Sequence, residues 1–345
     1  MRRVVIAGGG LAGQRAAETL RALGHDGPIT MLAAEPRAPY DRPPLSKAIL
    51  AGETPDLGLR PATWHADNGV ELLTGTPATG VAPGRVRTPA GDVPYDELVI
   101  ATGASPIRLP GLPAAQALRT LEDARELAGQ LRPGRRIAVV GAGLIGQEIA
   151  SAAAARGAHA TLIDVAPRPF DPLMGPGQGD WLRARHEDAG VTLRLGRRLT
   201  ATDGDALVLD DGTRVTADRV VVAIGVRPEL AWAADAKGAH LAGDCTGSAH
   251  WEAAARQGAA VARTILGLPP RPEAPPLVWS DQHGARIQRV GDPAGADRVE
   301  RDGEDTAFTL TFTRAGQPIA ATLVNRPGDI AKARRALQTQ AKEAA

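Results

Sequence analysis

One glycine spacing occurs twice in the chain, as Gly8-Gly9-Gly10-Leu11-Ala12-Gly13 and as Gly141-Ala142-Gly143-Leu144-Ile145-Gly146, and it restricts the fold more than any other feature. Each copy has the context that gives the pattern meaning. Short apolar runs, Val4-Val5-Ile6-Ala7 and Ile137-Ala138-Val139-Val140, precede the glycines and suit buried parallel strands. Alanine-rich stretches follow, and predict helices over Gln14 to Leu23 and Gln147 to Ala155. A second apolar strand then leads to an acid, Ile29-Thr30-Met31-Leu32 to Glu35 and Ala160-Thr161-Leu162-Ile163 to Asp164. These acids stand roughly 20 residues past the last glycine, where a ribose-binding carboxylate is expected. The glycines let the backbone approach a pyrophosphate seated on the positive end of a helix. Two complete units imply two nucleotides.

The repetition extends further. Leu98-Val99-Ile100-Ala101-Thr102-Gly103-Ala104-Ser105-Pro106 is echoed by Val220-Val221-Val222-Ala223-Ile224-Gly225-Val226-Arg227-Pro228, each a buried strand running into Gly-x-x-Pro. The offset is that of a duplicated domain, not of a short-period solenoid. Breaks at Pro110-Gly111-Leu112-Pro113 and at Pro269 to Pro276 suggest boundaries. The expected organisation is α/β, with two Rossmann-like domains: residues 1–112 with 231–270, and 113–230. The stretch around Leu241-Ala242-Gly243-Asp244 and a helix from Trp251 to Leu266 would return to the first. Residues 271–345 read as a small α+β domain, with a hairpin of Ala307 to Thr313 and Ile319 to Val324 around Ala315-Gly316-Gln317. A terminal helix is expected from Asp329 to Thr339, and Lys342 to Ala345 are expected to fray.

Composition narrows the chemistry. A net charge of +1 with 23% charged residues gives no sign of a general nucleic-acid binder. A single cysteine, Cys245, leaves no internal disulfide, redox dithiol or cysteine-rich metal cluster. The seven histidines, His25, His65, His159, His186, His240, His250 and His283, lack metal-ligand spacing and read as surface or locally hydrogen-bonded residues, so no metal is expected. No apolar stretch has the length of a membrane span. The glycine loop at Gly8 leaves no room for a signal peptide, unless one was removed ahead of this numbering, and a cytoplasmic protein is expected.

Tyr40-Asp41-Arg42-Pro43-Pro44-Leu45-Ser46-Lys47 follows the first acid. Its paired prolines restrict the backbone and suit a helix start or a groove wall. Lys47 is one of only four lysines, with Lys237, Lys332 and Lys342, among 40 basic residues. It reads either as an exposed helix charge or as a point charge beside an electron-rich ring.

The segment Tyr40 to Lys47 closely resembles the motif of NADH-dependent ferredoxin reductases, FAD-containing pyridine nucleotide oxidoreductases that serve oxygenase and cytochrome P450 systems. The resemblance runs through both glycine loops, Ala101-Thr102-Gly103, Arg119-Thr120-Leu121-Glu122-Asp123-Ala124, Ala242-Gly243-Asp244, Trp279-Ser280-Asp281-Gln282 and Val324-Asn325-Arg326-Pro327. It implies FAD at the first loop, on Gly8, Gly10, Ala12 and Gly13, with the adenosine ribose on Glu35. Further FAD contacts are implied for Arg42, Ala78, Thr102, Gly103, Arg119, Asp244 and Trp251. The nicotinamide nucleotide is implied at Gly141, Gly143, Ile145, Gly146, Glu148, Asp164 and Gly225. Lys47 would lie beside the flavin and pair with Glu148 across two domains, and Trp279 would stand by the flavin on the way to an iron–sulfur partner. Asp164 favours ribose hydroxyls over a 2′-phosphate, hence NADH over NADPH, although nearby Arg168 admits NADPH.

The activity implied is hydride transfer from NADH to FAD, then single electrons to a ferredoxin-type carrier, by a monomer or weak homodimer. Two other readings stand beside it. One is a flavoenzyme that reduces a small molecule, a quinone or oxygen directly, and the other is a nucleotide-binding interaction protein with slow redox chemistry. Between Arg227-Pro228 and Gly243-Asp244 the chain is shorter than the family pattern, and no strand is legible in Glu229 to Ala242.

Overall fold

The computed structural model describes residues 2–112, 114–248, 250–272 and 274–343. Pro113 of the expected break, and Ala344 and Ala345 of the expected fray, lie outside the described residues. The chain forms two compact units: Met1–Asp41, Asp56–Ser105 and Val226–Pro272 make the first, and Arg42–Pro55, Pro106–Gly225 and Glu273–Ala345 the second.

The first unit is built on a five-stranded parallel sheet in the order His240–Leu241, Glu97–Ile100, Val4–Ala7, Ile29–Leu32, Val70–Leu73. Every residue of Val4–Ala7 is buried, as its unbroken apolar run requires at the centre of a parallel sheet. Helices Leu11–Ala22 and Trp251–Ile265 pack together through Ala12, Ala16, Ala17, Ala254, Val261 and Ala262. Small residues allow this close approach, and a Cβ on Gly258 would run into the Ala12 carbonyl. The strand missing from the sequence reading of Glu229 to Ala242 is present. His240–Leu241 is only two residues long, pairs with Val99 and Ile100, and is too short to leave a periodic signal.

The second unit repeats the plan with a four-stranded parallel sheet, ordered Thr192–Leu195, His159–Asp164, Arg136–Val140, Arg219–Val222. Its helix Leu144–Ala155 follows the second glycine loop. The C-terminal part is a five-stranded antiparallel sheet in the order Leu277–Gln282, Ala285–Gly291, Gln317–Val324, Ala307–Arg314, Arg298–Glu304. The expected hairpin is there, closed by Ala315 and Gly316, whose φ values of 50° and 78° give the left-handed turn that two-residue hairpins favour. Arg298–Glu304 is an additional strand. All seven of its residues are exposed and most are charged, which blunts a sheet edge and hides it from pattern reading. The terminal helix, Ile330–Glu343, lays Ile330, Ala333 and Leu337 over Val290, Ala321 and Leu323.

The opposite face of that sheet buries Ile287, Phe308, Leu310, Phe312 and Val324 in one core with Phe170, Leu173, Met174 and Leu182. Truncating any of these phenylalanines to alanine costs about 3–5 kcal/mol. His186 is in this core. It is fully buried, stacks on Phe170 at 5.1 Å and meets His283 edge-on at 4.3 Å. Of the two settings expected for the histidines, His186 and His65 take the hydrogen-bonded one and not the surface: both are buried, His186 against Gln282 at 3.0 Å and His65 against Gln14 at 2.9 Å. Desolvation, then the His283 charge, pulls the His186 pKa down to about 3, and desolvation brings His283 to about 4.

Both groups fold as neutral imidazoles, whereas the unfolded chain binds protons below its ordinary value of 6.5. Their contribution is fully present above that value and is lost as pH falls through 6.5 toward 4 and 3. At about pH 5 the loss from His186 amounts to about 2 kcal/mol. Urea unfolding at neutral and at mildly acid pH measures it, and His186→Gln is expected to flatten the profile.

Candidate functional site

The two glycine loops divide the same labour among their glycines. Gly8 and Gly141 take φ values of 135° and 107°, in the region that favours glycine, and a Cβ on either would strike the carbonyl of Ala101 or Ala223. A Cβ on Gly13 or Gly146 would strike the carbonyl of Gly8 or Gly141, so these residues close helix onto strand. The middle glycines differ. A Cβ on Gly10 would meet nothing within 4 Å, and one on Gly143 only the Ala223 carbonyl at 4.0 Å. Both are helix N-caps in extended conformation, so each loop offers open space in front of unpaired helix amides. That is the cradle a pyrophosphate needs, and the residues present fit a dinucleotide at each loop.

In the first unit, Glu35 lies beyond Ile29–Leu32 and accepts a hydrogen bond from the Tyr40 hydroxyl at 2.7 Å. The Thr102 hydroxyl donates to the Glu229 carbonyl at 2.6 Å, and Gly103 has a φ of 74°. Ala78 packs on the core that contains Val5, Ala7 and Leu32. Asp244 opens a short 3-10 turn after Gly243, whose amide donates to Gln257 at 2.8 Å. Trp251 begins its helix and donates its indole N–H to Asp41 at 2.6 Å.

In the second unit, Arg42 donates to the Arg119 carbonyl at 2.7 Å, which ties the Pro43–Ser46 turn to the capped start of helix Leu121–Gln130. Asp164 ends its strand with both carboxylate oxygens engaged. One accepts the Ala142 amide at 2.6 Å and the other the Ala166 amide at 2.7 Å. Arg168 is paired with Asp171 at 2.9 Å and with Asp180 at 3.3 Å. Ile145 and Val165 are exposed large apolar side chains next to the loop and to Asp164, at 42% and 58%. Gly225, with a φ of 105°, follows Arg219–Val222. Trp279 is half-buried in Leu277–Gln282.

Lys47 and Glu148 come together. The Lys47 Nζ lies 2.8 Å from both carboxylate oxygens of Glu148, and Glu148 is only 2% exposed. Helix Leu144–Ala155 places the carboxylate, and the turn of Pro43–Ser46 delivers the lysine at its end. Two hydroxyls complete the shell. Ser280 donates to Oε1 at 2.6 Å, and Ser46 donates to Oε2. Both serines are buried. Neither was picked out from sequence, although both stand inside quoted motifs, next to Lys47 and Trp279; serine is too common for its presence to signal a site. Removing two charges from water costs several kcal/mol, which pairing repays only when every lone pair is satisfied. Such a pair contributes little net stability, and its presence points to chemistry.

Comparison with known proteins gives the family. Residues 2–245 match the family model described as pyridine nucleotide-disulphide oxidoreductase, and residues 277–345 match that described as reductase C-terminal. The chain is 36% identical to the anthranilate 1,2-dioxygenase system ferredoxin–NAD(+) reductase component of Burkholderia cepacia, over 96% of this chain and 93% of that protein. It is 34% identical to putidaredoxin reductase of Pseudomonas putida, over 94% and 89%. Those matches span 379 and 374 positions, more than the 345 residues here, so the relatives carry segments that this chain lacks. The solved structure of the covalent putidaredoxin reductase–putidaredoxin complex superposes with a TM-score of 0.89 at 31% identity, over 97% of this chain and 93% of that one. The structure of Fdr9 gives 0.88 at 35%, over 98% and 95%. The chain belongs to the pyridine nucleotide-disulphide oxidoreductase family and carries the reductase C-terminal domain.

Proposed function

We propose that this protein is an FAD-dependent reductase that takes a hydride from NADH and passes single electrons to a ferredoxin-type iron–sulfur carrier of an oxygenase or P450 system. The observation that carries this reading is the buried Glu148 carboxylate, paired with the half-buried Lys47 and held by two serine donors, in a chain that holds two dinucleotide loops. FAD supplies the conversion of a two-electron hydride into one-electron steps. The protein binds, orients and shields.

Gly8, Gly10, Ala12 and Gly13 present helix amides to the FAD pyrophosphate, and Glu35 accepts from the adenosine ribose. Arg42, Ala78, Thr102, Gly103, Arg119, Asp244 and Trp251 complete the FAD contacts, as the family resemblance implies. Gly141, Gly143, Ile145, Gly146 and Gly225 would hold the nicotinamide nucleotide, beside the exposed apolar side chains of Ile145 and Val165. Lys47 provides the cation for the flavin ring and Glu148 orients the nicotinamide side. Trp279 stands on the electron path to the carrier. Residues 1–112 with 231–270 form the FAD domain, 113–230 the NAD domain, and 271–345 the C-terminal domain.

NADH is the donor because of Asp164 and Arg168. The carboxylate already holds two backbone amides and has lone pairs left for ribose hydroxyls, while a 2′-phosphate would be repelled. Arg168, the nearby cation that could offset this repulsion, is committed to two aspartates. A cytoplasmic location fits this redox role, and no helix among the described residues is long and apolar enough to cross a membrane.

Anaerobic mixing of the flavin-loaded protein with NADH tests the reading. Fast bleaching of the oxidised-flavin band is expected, and a flavin that stays oxidised would overturn it. Lys47→Met and Glu148→Gln are each expected to slow bleaching by about 100-fold, because each removes a placed charge from a dry site. Steady-state kcat/KM should favour NADH over NADPH by about ten-fold or more, and Asp164→Ser should narrow that preference.

A further inference from the structure

The Lys47–Glu148 pair is one end of a longer polar chain whose far end the proposed function does not use. Its hydrogen-bond directions follow from groups that can only accept, two backbone carbonyls and a carboxylate. The Ala142 carbonyl, inside the second glycine loop, takes the Gln147 Nε2 at 2.7 Å, and the Pro169 carbonyl takes the same nitrogen at 3.4 Å. The Gln147 Oε1 is thereby turned to Gln282, whose Nε2 donates to it at 3.2 Å. Independently, the Glu148 carboxylate takes the single hydroxyl proton of Ser280, so Ser280 Oγ accepts from the same Gln282 Nε2 at 3.0 Å.

The amide orientation of Gln282 is fixed twice over, and its Oε1 is left facing His186 Nε2 at 3.0 Å. His186 therefore carries its proton on Nε2. Its Nδ1 is the acceptor for His283 Nε2, 2.9 Å away. The His283 backbone amide donates to Ser151 Oγ at 2.8 Å, which anchors the outer end on the helix of Glu148. Every donor points inward, from His283 through His186 and Gln282 to the carboxylate and the glycine loop. Gln147, Glu148, His186, Ser280 and Gln282 are each at most 4% exposed, so a reversed link would leave a buried group unpaired.

We propose that Gln282 is a positioning residue for hydride transfer, which locks the Ser280 proton onto Glu148 and ties that carboxylate to the second glycine loop, with the neutral His186–His283 pair holding its amide in place. This rests on the redox role proposed above for Lys47 and Glu148. Gln282→Leu removes the donor to both branches. Gln282→Glu keeps the shape but replaces the donor by an acceptor that competes for the Ser280 proton.

Nitrogen-15 NMR of the histidine-labelled, flavin-loaded protein at neutral pH reads the chain without turnover. His186 protonated on Nε2 and bare on Nδ1 is expected, with a mixture of tautomers in Gln282→Leu. Stopped-flow bleaching by NADH reads the coupling. Either Gln282 variant is expected to slow it by about ten-fold. In a Glu148→Gln background the further loss should be no more than about two-fold, because the negative charge that Gln282 helps to position is already gone. A His186 proton on Nδ1 in the unsubstituted protein, or multiplicative losses in the double variant, would overturn the proposal. If NADH fails to bleach the unsubstituted protein, the redox reading fails, and the tautomer measurement still decides the orientation of the chain. Should Gln282→Leu fail to fold, Gln282→Glu carries the stopped-flow measurement and the unsubstituted protein the tautomer measurement.

Discussion

A carboxylate that has left water must be satisfied on both oxygens, and in this protein the Glu148 carboxylate recruits parts of the chain far apart in sequence to do so. Lys47 and Ser46 come from the segment Arg42–Pro55, Ser280 from the C-terminal sheet, and Glu148 itself from the helix of the second glycine loop. None of these donors would be held in place by surface chemistry alone. An exposed lysine–glutamate pair gains at most about 1 kcal/mol and samples many rotamers. Burial makes the same pair directional, and it obliges the surrounding residues to point their protons at it.

The glycine loops meet a different demand in the same way, by geometry. Their outer glycines are needed because strand and helix come too close for a side chain, and their middle glycines because the space in front is kept open. Asp164 adds a link between the two demands. Its hold on the Ala142 amide fixes the loop whose Ala142 carbonyl also anchors Gln147 and, beyond it, Gln282. The Asp164 carboxylate and the arrangement around Glu148 therefore share a single loop.

Much of the fold was legible. Unbroken apolar runs gave the central parallel strands, and the alternation of Ala307 to Thr313 gave a real hairpin. Other elements left no sequence signal for physical reasons. His240–Leu241 is too short to show a period, and Arg298–Glu304 is a charged edge with no buried face. For His186 the sequence left surface and hydrogen-bonded settings both open, because histidine is ambivalent. Only the surrounding Phe170, His283 and Gln282 decide that it is buried and neutral.

The sequence by itself determined that two dinucleotide folds are present, where their glycines and the acids beyond them lie, and that Lys47, Glu148 and Trp279 belong to recurring motifs. These properties are local, set by spacing along a strand, a turn and a helix. Tertiary structure alone decided that Ser46, Ser280, Gln147, Gln282, His186 and His283 join in one hydrogen-bonded chain with Glu148, because a hydrogen bond depends on distance and direction in space. Residues as common as serine and glutamine acquire a role only when burial removes water as their alternative partner.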